Sequence, residues 1–232
     1  YGKLNPIPQI DFSKSVFFGK IDCFSTCFSE VSYFNGASFH GGVEFWNAKF
    51  ESDAIFQKCT FNGSLHCLST EFNGGVSFRE STLNGDTTFQ DAIFNSQTNF
   101  MLAIFNSYAK FFDANFNGET RFDYSMFNGN TYFSGVQFKN IVNFSFTVFN
   151  ERLDFSRSHH AMSCFEKADF LNTSYFNNAE LMYTDFSYAR FFKTPYFVST
   201  LLKSVKFDNS LSENLMLFDS VNMSDVSMHN MP

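Results

Sequence analysis

Several features are scarce or missing in this sequence of 232 residues. It has four prolines, one tryptophan and only 17% charged residues. It contains no run of 18 apolar residues, which excludes a membrane-spanning helix. It begins with Tyr1 and shows no pattern of a signal peptide. Its five cysteines have no paired spacing, so no disulfide framework is expected; this favours a reducing compartment such as the cytoplasm without excluding secretion.

Motifs of the common reaction centres are missing as well. No nucleophile elbow, phosphate-binding loop, zinc-protease motif or dinucleotide fingerprint occurs. His159 and His160 are adjacent, but neighbouring residues of an extended segment point to opposite faces and a metal needs more ligands. We therefore predict that His160 is a core residue and that His159 is solvated. We also predict no metal site, no cofactor and no enzymatic activity.

Phenylalanine, by contrast, is abundant and strictly spaced. Thirteen 11-residue repeats run from Phe12 to Phe155, and an apolar residue recurs at alternating steps of five and six. We call these positions the ladder, and 24 of the 27 are phenylalanine. The predicted core ladder consists of Phe12, Phe17, Cys23, Phe28, Phe34, Phe39, Phe45, Phe50, Phe56, Phe61, Cys67, Phe72, Phe78, Leu83, Phe89, Phe94, Phe100, Phe105, Phe111, Phe116, Phe122, Phe127, Phe133, Phe138, Phe144, Phe149 and Phe155.

A second residue, nearly always small or β-branched, stands two positions before each ladder residue. Examples are Ala48, Ala92 and Ala114. A spacing of two places both side chains on one face of an extended segment. The same ladder drawn on an α-helix forms no single apolar stripe. Each step is therefore predicted to be a very short strand followed by a corner.

The six-residue steps contain one residue more than the five-residue steps, and they are rich in Asn-Gly pairs. Asn62-Gly63 and Asn73-Gly74 are examples. Because Asn and Gly tolerate positive φ, we predict that these wider corners turn through left-handed backbone geometry.

Units this short cannot bury an apolar face alone and must stack on one another as a solenoid. The small-x-Phe pattern resembles the pentapeptide-repeat family, in which Leu or Phe stands at the centre of five residues and a small residue lies two positions earlier. The resemblance covers roughly residues 10 to 228. It implies an all-β fold, a right-handed, four-sided parallel β-helix with one pentapeptide per side, and it carries almost no information about activity.

Two regions are predicted within this single rod. Residues 12–155 would form coils of 22 residues from pairs of 11-residue units, and residues 156–228 would follow mainly five-residue steps, so that the cross-section changes near residues 156 to 165. Residues 1–11, with Pro6 and Pro8, are predicted to be an N-terminal cap, and residues 229–232 a tail.

The last coil keeps a weakened ladder. Its ladder-like places hold Leu217 or Phe218, Met223 and Met228. Methionine suits adaptable contacts, so we predict a terminal interface here and an end-to-end homodimer through it.

Function is predicted from what remains once the core is accounted for. The leading hypothesis is a rigid scaffold that binds a protein partner on its outer faces. A second hypothesis is an acidic DNA mimic that binds DNA gyrase, as in the similar quinolone-resistance proteins, but a net charge of −7 is small beside one charge per about 1.7 Å of duplex. A third is an extracellular adhesin or self-assembling structural subunit. Direct nucleic-acid binding is disfavoured because no basic patch occurs.

Overall fold

The computed structural model describes residues 6–231, in which every regular element is a β-strand and most strands are two residues long. Residues 1–5 of the predicted cap and residue 232 of the predicted tail lie outside this part. Within it, Ile7 stands between two prolines and still forms a parallel bridge with Phe28. No helix occurs in the described range, and therefore no helix that could cross a membrane.

The strands stack in parallel as about ten coils of a four-sided β-helix, as the family resemblance implies. Each residue pairs with the equivalent residue of the next coil, for example Thr60 with Thr82 and Phe61 with Leu83. We number the four sides faces 1 to 4 in chain order, starting from the side that carries Phe12. Within residues 6–231, faces 4 and 1 share a 17-stranded sheet, while faces 2 and 3 are sheets of 10 strands each.

The strand bounds follow the ladder around each coil. Face 1 contains Ile10–Asp11, Ser32–Tyr33, Ala54–Ile55, Val76–Ser77, Thr98–Asn99, Thr120–Arg121 and Thr184–Asp185. Face 2 contains Val16–Phe17, Ser38–Phe39, Thr60–Phe61, Thr82–Leu83, Ile104–Phe105, Met126–Phe127, Val148–Phe149, Asp169–Phe170, Arg190–Phe191 and Leu211–Ser212. Face 3 contains Ile21–Asp22, Val43–Glu44, Leu65–His66, Thr87–Thr88, Ala109–Lys110, Thr131–Tyr132, Leu153–Asp154, Ser174–Tyr175, Pro195–Val198 and Leu217–Asp219. Face 4 contains Cys27–Phe28, Lys49–Phe50, Glu71–Phe72, Ile93–Phe94, Asn115–Phe116, Glu180–Met182, Leu201–Lys203 and Asn222–Ser224. Two longer strands, Gln137–Asn143 and His159–Cys164, continue from face 4 around the corner into face 1.

The core is a set of phenylalanine columns. Along face 1 the rings of Phe34 and Phe56 lie 4.7 Å apart and those of Phe56 and Phe78 4.8 Å apart, with planes inclined by 6° and 7°. Rings on the opposite faces 1 and 3 meet edge to face across the core, as do Phe100 and Phe111 at 85°. Both arrangements are favourable for aromatic quadrupoles, and the repeat distance of a parallel sheet supplies the spacing.

Burial of the ladder residues depends on which coil they belong to. Every ladder position from Phe28 to Phe155 is buried. Phe12 is 40% exposed, and Phe17 and Cys23 are half-buried, because no described coil covers the outer side of their coil. Cys59, two positions before Phe61, is also buried, and burial raises the pKa of its thiol to about 12.

The prediction of left-handed geometry at the Asn-Gly corners is wrong. Positive φ occurs at the tight corners instead, two residues after the ladder positions of faces 1 and 3, as at Lys58 and Ser69. There the turn closes with an i to i+3 bond, such as that from the Ala48 N–H to the Phe45 carbonyl at 2.9 Å. In a type II turn the third residue has positive φ, as it does here. Non-glycine residues occupy most of these sites.

The wide corners need glycine because the preceding coil leaves no space for a Cβ atom. A Cβ on Gly74 would lie 2.3 Å from the carbonyl carbon of Ser52 in the preceding coil, and one on Gly63 would lie 2.6 Å from that of Gly41. The asparagine before each glycine has a different role, which is to bond along the rod. Asn106 Nδ2 donates to Asn84 Oδ1 at 2.7 Å, and Asn84 Nδ2 donates to Asn62 Oδ1 at 3.0 Å.

These amides form two ladders of their own. The first continues through Asn128 and Asn150 at the corner between faces 2 and 3. The second lies between faces 4 and 1, where Asn117 donates to Asn95 and Asn95 to Asn73, each at 2.7 Å. Asn73 in turn donates to the Glu51 carboxylate at 2.7 Å. These side-chain hydrogen bonds add to the backbone bonds that join neighbouring coils at the same corners, such as that from the Asn84 N–H to the Phe61 carbonyl at 2.8 Å.

The coil loses one residue partway along the rod. Paired residues lie 22 apart up to Phe138 with His160, whereas Ile141 pairs with Met162 and all later pairs lie 21 apart. The register between the strands Gln137–Asn143 and His159–Cys164 shifts between Phe138 and Ile141. Later corners between faces 4 and 1 are tight, with Ser204 at a φ of 54°. The later coils thus keep one six-residue step, between faces 2 and 3, and do not become uniformly five-residue.

Candidate interaction surfaces

The outer faces are columns of side chains that repeat once per coil. The residue immediately before each ladder position points outward, so residues 22 apart in sequence become neighbours in space. His66 and Glu44 are such a pair: the imidazole Nδ1 lies 3.1 Å from Glu44 Oε2. Sequence reasoning missed this pair, although the 22-residue period would have revealed it.

Outward aromatic residues concentrate on face 3. We call this set the aromatic strip, and it comprises Phe24, Trp46, Tyr108, Phe112, Tyr132, Tyr175 and Tyr196. Phe112 and Tyr132 stack at 5.1 Å, as do Tyr175 and Tyr196. The Arg152 guanidinium lies 4.5 Å from the centre of the Tyr175 ring. The strip is therefore an ordered surface whose rings support one another.

A shallow depression of about 240 Å³ interrupts the strip beside Trp46. Its floor includes Thr88, a short side chain between the larger His66 and Lys110 of the coils on either side. Lys110 Nζ is 3.7 Å from an Asp86 carboxylate oxygen, at the opposite rim from Trp46. Trp46 is 40% exposed and presents a large apolar ring at the edge of this hollow.

A second surface lies on face 2 and on the tight corner between faces 1 and 2. We call it the apolar patch, and its members are Leu102, Ile104, Tyr124, Met126, Phe146 and Val148. They form two columns over three successive coils. Tyr124 is 52% exposed, and its ring stacks on Phe146 at 4.7 Å.

Charges on the outer faces are largely paired with opposite charges. Lys49 Nζ lies 3.1 Å from Glu51 and 3.6 Å from Glu71. Asp169 pairs with Arg190 one coil further on, and this hydrogen-bonded contact raises the pKa of the Arg190 guanidinium. The net negative charge is thus spread over the surface and interrupted by cations.

The two adjacent histidines have different surroundings. His160 is buried in the face 4 column, where Ser158 Oγ accepts from its Nε2 at 2.9 Å while donating to the Phe155 carbonyl. Its Nδ1 has no hydrogen-bond partner among residues 6–231, and burial lowers the pKa of the imidazole to about 3. His159 points outward, with its Nδ1 2.8 Å from Glu180. Within residues 6–231 no three His, Cys, Asp or Glu side chains are arranged to hold a metal ion.

The residues predicted for a terminal interface lie on the last described coil. Phe218 occupies the ladder place and stacks on Phe197 at 5.1 Å, while Leu217 points outward and is 41% exposed. Met223 and Met228 are 42% and 39% exposed. Their participation in an end-to-end contact stays a prediction.

The fold and these surfaces define a β-solenoid repeat protein with a phenylalanine core. Residues 69–114 match the family described as pentapeptide repeats (9 copies). The same coils and small-x-Phe pattern extend in both directions from the matched segment. The resemblance to the pentapeptide-repeat family that the sequence predicts is therefore confirmed.

Two solved structures are similar to this chain. One is HetL, a pentapeptide repeat protein involved in heterocyst differentiation regulation from the cyanobacterium Nostoc, with 12% identity over 82% of this chain and 87% of that chain and a TM-score of 0.28. The other is QnrB1, a plasmid-mediated fluoroquinolone resistance protein, with 16% identity over 96% of this chain and 92% of that chain and a TM-score of 0.32. No curated protein sequence matches this chain significantly.

Proposed function

We propose that this protein is a non-enzymatic scaffold that binds a protein partner on the aromatic strip of face 3. The observation that carries the proposal is Trp46, a partly exposed ring beside a hollow on an ordered surface. Trp, Tyr and Arg are the residues that most often dominate binding energy at protein interfaces. The strip supplies all three types, with Arg152 held over Tyr175.

Rigidity supports the same proposal. From Phe89 onward the phenylalanine column beneath face 3 is continuous, with Phe111 and Phe133 stacked at 4.6 Å and Phe133 and Phe155 at 4.7 Å. Beneath Trp46 the buried Phe45 lies between Cys23 and Cys67 and packs edge to face on Phe50 at 5.3 Å. A surface that is already ordered loses little conformational entropy on binding, so more of its contact energy appears as affinity. The fold thereby presents the strip as a preorganised surface.

The gyrase-mimic hypothesis has less support. A duplex mimic needs closely spaced negative charges along one side. Here carboxylates of neighbouring coils are separated by cations, as Glu51 and Glu71 are by Lys49. We expect micromolar protein to leave gyrase supercoiling and its poisoning by a fluoroquinolone unchanged, and inhibition of either would revive this hypothesis.

Site-specific photo-crosslinking tests the scaffold proposal directly. A photoreactive residue in place of Thr88, on the floor of the hollow, should capture a defined protein from the native host, which mass spectrometry then identifies. The matched control replaces Asn99, an outward residue of face 1 on the opposite side of the rod. Equal capture at the two positions would contradict a site on face 3.

Purified partner then allows the contribution of Trp46 to be measured. We expect Trp46→Ala to weaken binding by a factor on the order of 30, because a central tryptophan commonly contributes about 2 kcal/mol or more. Tyr183→Ala, which removes an exposed aromatic residue from the corner between faces 4 and 1, is the control and should bind like the wild type. Both side chains are exposed, so unfolding midpoints should change little. Wild-type affinity of the Trp46 variant would refute the assignment.

A further inference from the structure

We infer that the apolar patch is the contact through which two copies of this chain pack side by side with their rods antiparallel. The inference goes beyond the proposed scaffold function, which uses a different face. Leu102, Tyr124 and Phe146 form one column of the patch on the corner after face 1, and each is at least 38% exposed. Ile104 and Met126, beside them on face 2, are 37% and 39% exposed. Exposed apolar side chains that cluster in this way mark contact sites more often than isolated ones do.

The surroundings of the patch suit an apolar occupant. On one side runs the amide ladder, in which Asn106 and Asn128 already bond to each other at 2.7 Å. On the other side Asp123 is buried and bound to Arg121 at 2.8 Å. Covering the patch would therefore leave few polar groups at these flanks without partners, and such unpaired groups are what makes burial costly.

Charge at the two ends of the patch identifies the occupant. The corner column continues with Glu80 on the coil before Leu102 and with Lys167 on the coil after Phe146. Glu80 and Lys167 thus lie two coils to either side of Tyr124. Within the chain Glu80 already lies 3.5 Å from Lys58 and Lys167 lies 3.2 Å from Glu166. The two residues still stand with opposite signs at equal distances from the centre, which makes the column complementary to the same column read in reverse.

In the proposed dimer the two-fold axis lies between the two rods, perpendicular to them, at the level of the Tyr124 coil. This axis brings the complementary groups together. It places Leu102 against the second copy's Phe146, and Glu80 against the second copy's Lys167. On face 2 it places Ile104 against Val148. The contact is isologous, so each pairing occurs twice.

The next coil outward extends the complementarity. Lys58 and Tyr188 lie three coils to either side of Tyr124 in the same column, and the axis would set the ammonium group against the ring. Within one chain, Lys167 already lies 5.8 Å from the Tyr188 ring centre, so this ring accepts a cation.

The opposite orientation is disfavoured by the same residues. If the two rods packed in parallel with their coils level, Glu80 would face Glu80 and Lys167 would face Lys167. Like charges brought together in this way cost free energy and select against the parallel arrangement. The column therefore specifies both the partner and its direction.

Sedimentation equilibrium of the purified chain tests the inference. We expect a reversible dimer at micromolar concentration. Met126→Arg should weaken dimerisation by a factor on the order of 100, because it places two charges in the middle of an apolar contact. Met162→Arg is the matched control, since Met162 is similarly exposed at 43% but lies on the corner between faces 4 and 1. It should dimerise like the wild type.

Charge reversal then tests the antiparallel register. Glu80→Lys and Lys167→Glu, each alone, should raise the dissociation constant by about three- to tenfold, since each change sets like charges against each other at two places. The double variant should restore the wild-type value. A contact with an unrelated protein or with the rod ends would show no such rescue.

Four results would overturn the inference. A monomer at high micromolar concentration would exclude the contact, and a dimer that tolerates Met126→Arg would place the interface elsewhere, for example on the last coil with Met223. A double variant that stays weak would exclude the antiparallel register. A different protein captured by a photo-crosslinker at Tyr124, with no second copy captured, would assign the patch to that partner. The sedimentation tests use the purified chain alone. Their outcome therefore does not decide whether a partner protein binds at Trp46.

Discussion

The two halves of the rod differ at one corner of every coil. In the earlier coils the corner between faces 4 and 1 is wide, holds an amide ladder through Asn95, and places Gly74 against the preceding coil. In the later coils the same corner is one residue shorter, and Tyr183 and Ser204 adopt positive φ there. The ladder continues through both halves, because Phe144 stacks on Phe165 at 4.9 Å across the change.

This comparison shows that a pentapeptide coil tolerates a change of length where no side chain points inward. A deletion within a strand would reverse the facing of the residues that follow it. A deletion at a corner leaves every inward residue inward, and the strand from His159 to Cys164 absorbs it by a shift of register. The halves should therefore be alike in their cores and different in their corners.

Because the two halves have the same core, removal of a core ring should lower the free energy of unfolding equally in both. Phe100→Ala in the earlier half and Phe186→Ala in the later half should each lower the free energy of unfolding by about 3–5 kcal/mol, since both rings are fully buried in the same column. Chemical denaturation measures both variants, with Asn99→Ala as an outward control. A loss below about 1 kcal/mol for Phe100→Ala would contradict the stacked core.

The boundary between the halves should be sensitive to acid because of His160. Its pKa of about 3 in the folded chain lies below the 6.5 of an ordinary histidine, so the unfolded chain binds more protons between these values. Stability is then complete above pH 6.5 and falls as the pH drops towards 3. At about pH 4.5 this histidine should account for a loss of about 2–3 kcal/mol.

His160→Phe isolates that effect, since phenylalanine fills this column in earlier coils. The variant should lose less stability than the wild type between neutral pH and about pH 4.5 in urea titrations. His159→Phe, which removes an outward imidazole, is the control. If the His160 variant loses as much stability as the wild type over this pH range, the acid sensitivity belongs to other groups.

The corners themselves should respond differently to substitution by alanine. Gly74→Ala should cost about 1–3 kcal/mol, because its Cβ would meet backbone of the preceding coil. Ser204→Ala, at the equivalent place two residues after the ladder in the later half, should change stability by less than about 0.5 kcal/mol. Thermal unfolding compares the pair, and equal effects would mean that the two corners are alike after all.

The smallest effect concerns the amide ladder. Asn95→Ala leaves Asn73 Oδ1 and Asn117 Nδ2 without their partner and should cost about 1 kcal/mol. Lys203→Ala removes the residue at the same place in the later half, where no ladder bond is formed by its side chain among the described residues, and should be nearly neutral. A neutral Asn95 variant would show that water replaces the ladder.

The sequence allowed the fold to be predicted because the ladder expresses one physical requirement, an inward apolar side chain at every corner-to-corner step. It misled at the Asn-Gly corners, because asparagine and glycine have several uses. Their tolerance of positive φ suggested one, whereas close approach at Gly74 and amide bonding at Asn95 are the ones in use.

The outer surfaces were harder to foresee, because they join residues from different coils. Glu44 and His66 become partners only when the sequence is aligned in steps of 22. The apolar patch likewise has no local signature, since Tyr124 and Phe146 each lie between polar neighbours and Leu102 lies within an apolar run that also contains core residues. The ladder predicted the period, and the period applied to the outward residues would have found both.

The constant offset between coils has a consequence for how such a molecule grows. Duplicating a 22-residue stretch of the earlier half, such as residues 72–93, would insert one further coil that meets the same stacked rings and amide bonds above and below it. It would move Trp46 away from Tyr124 by about 4.8 Å. Gene duplication can thus set the separation of two docking surfaces in fixed increments of one coil.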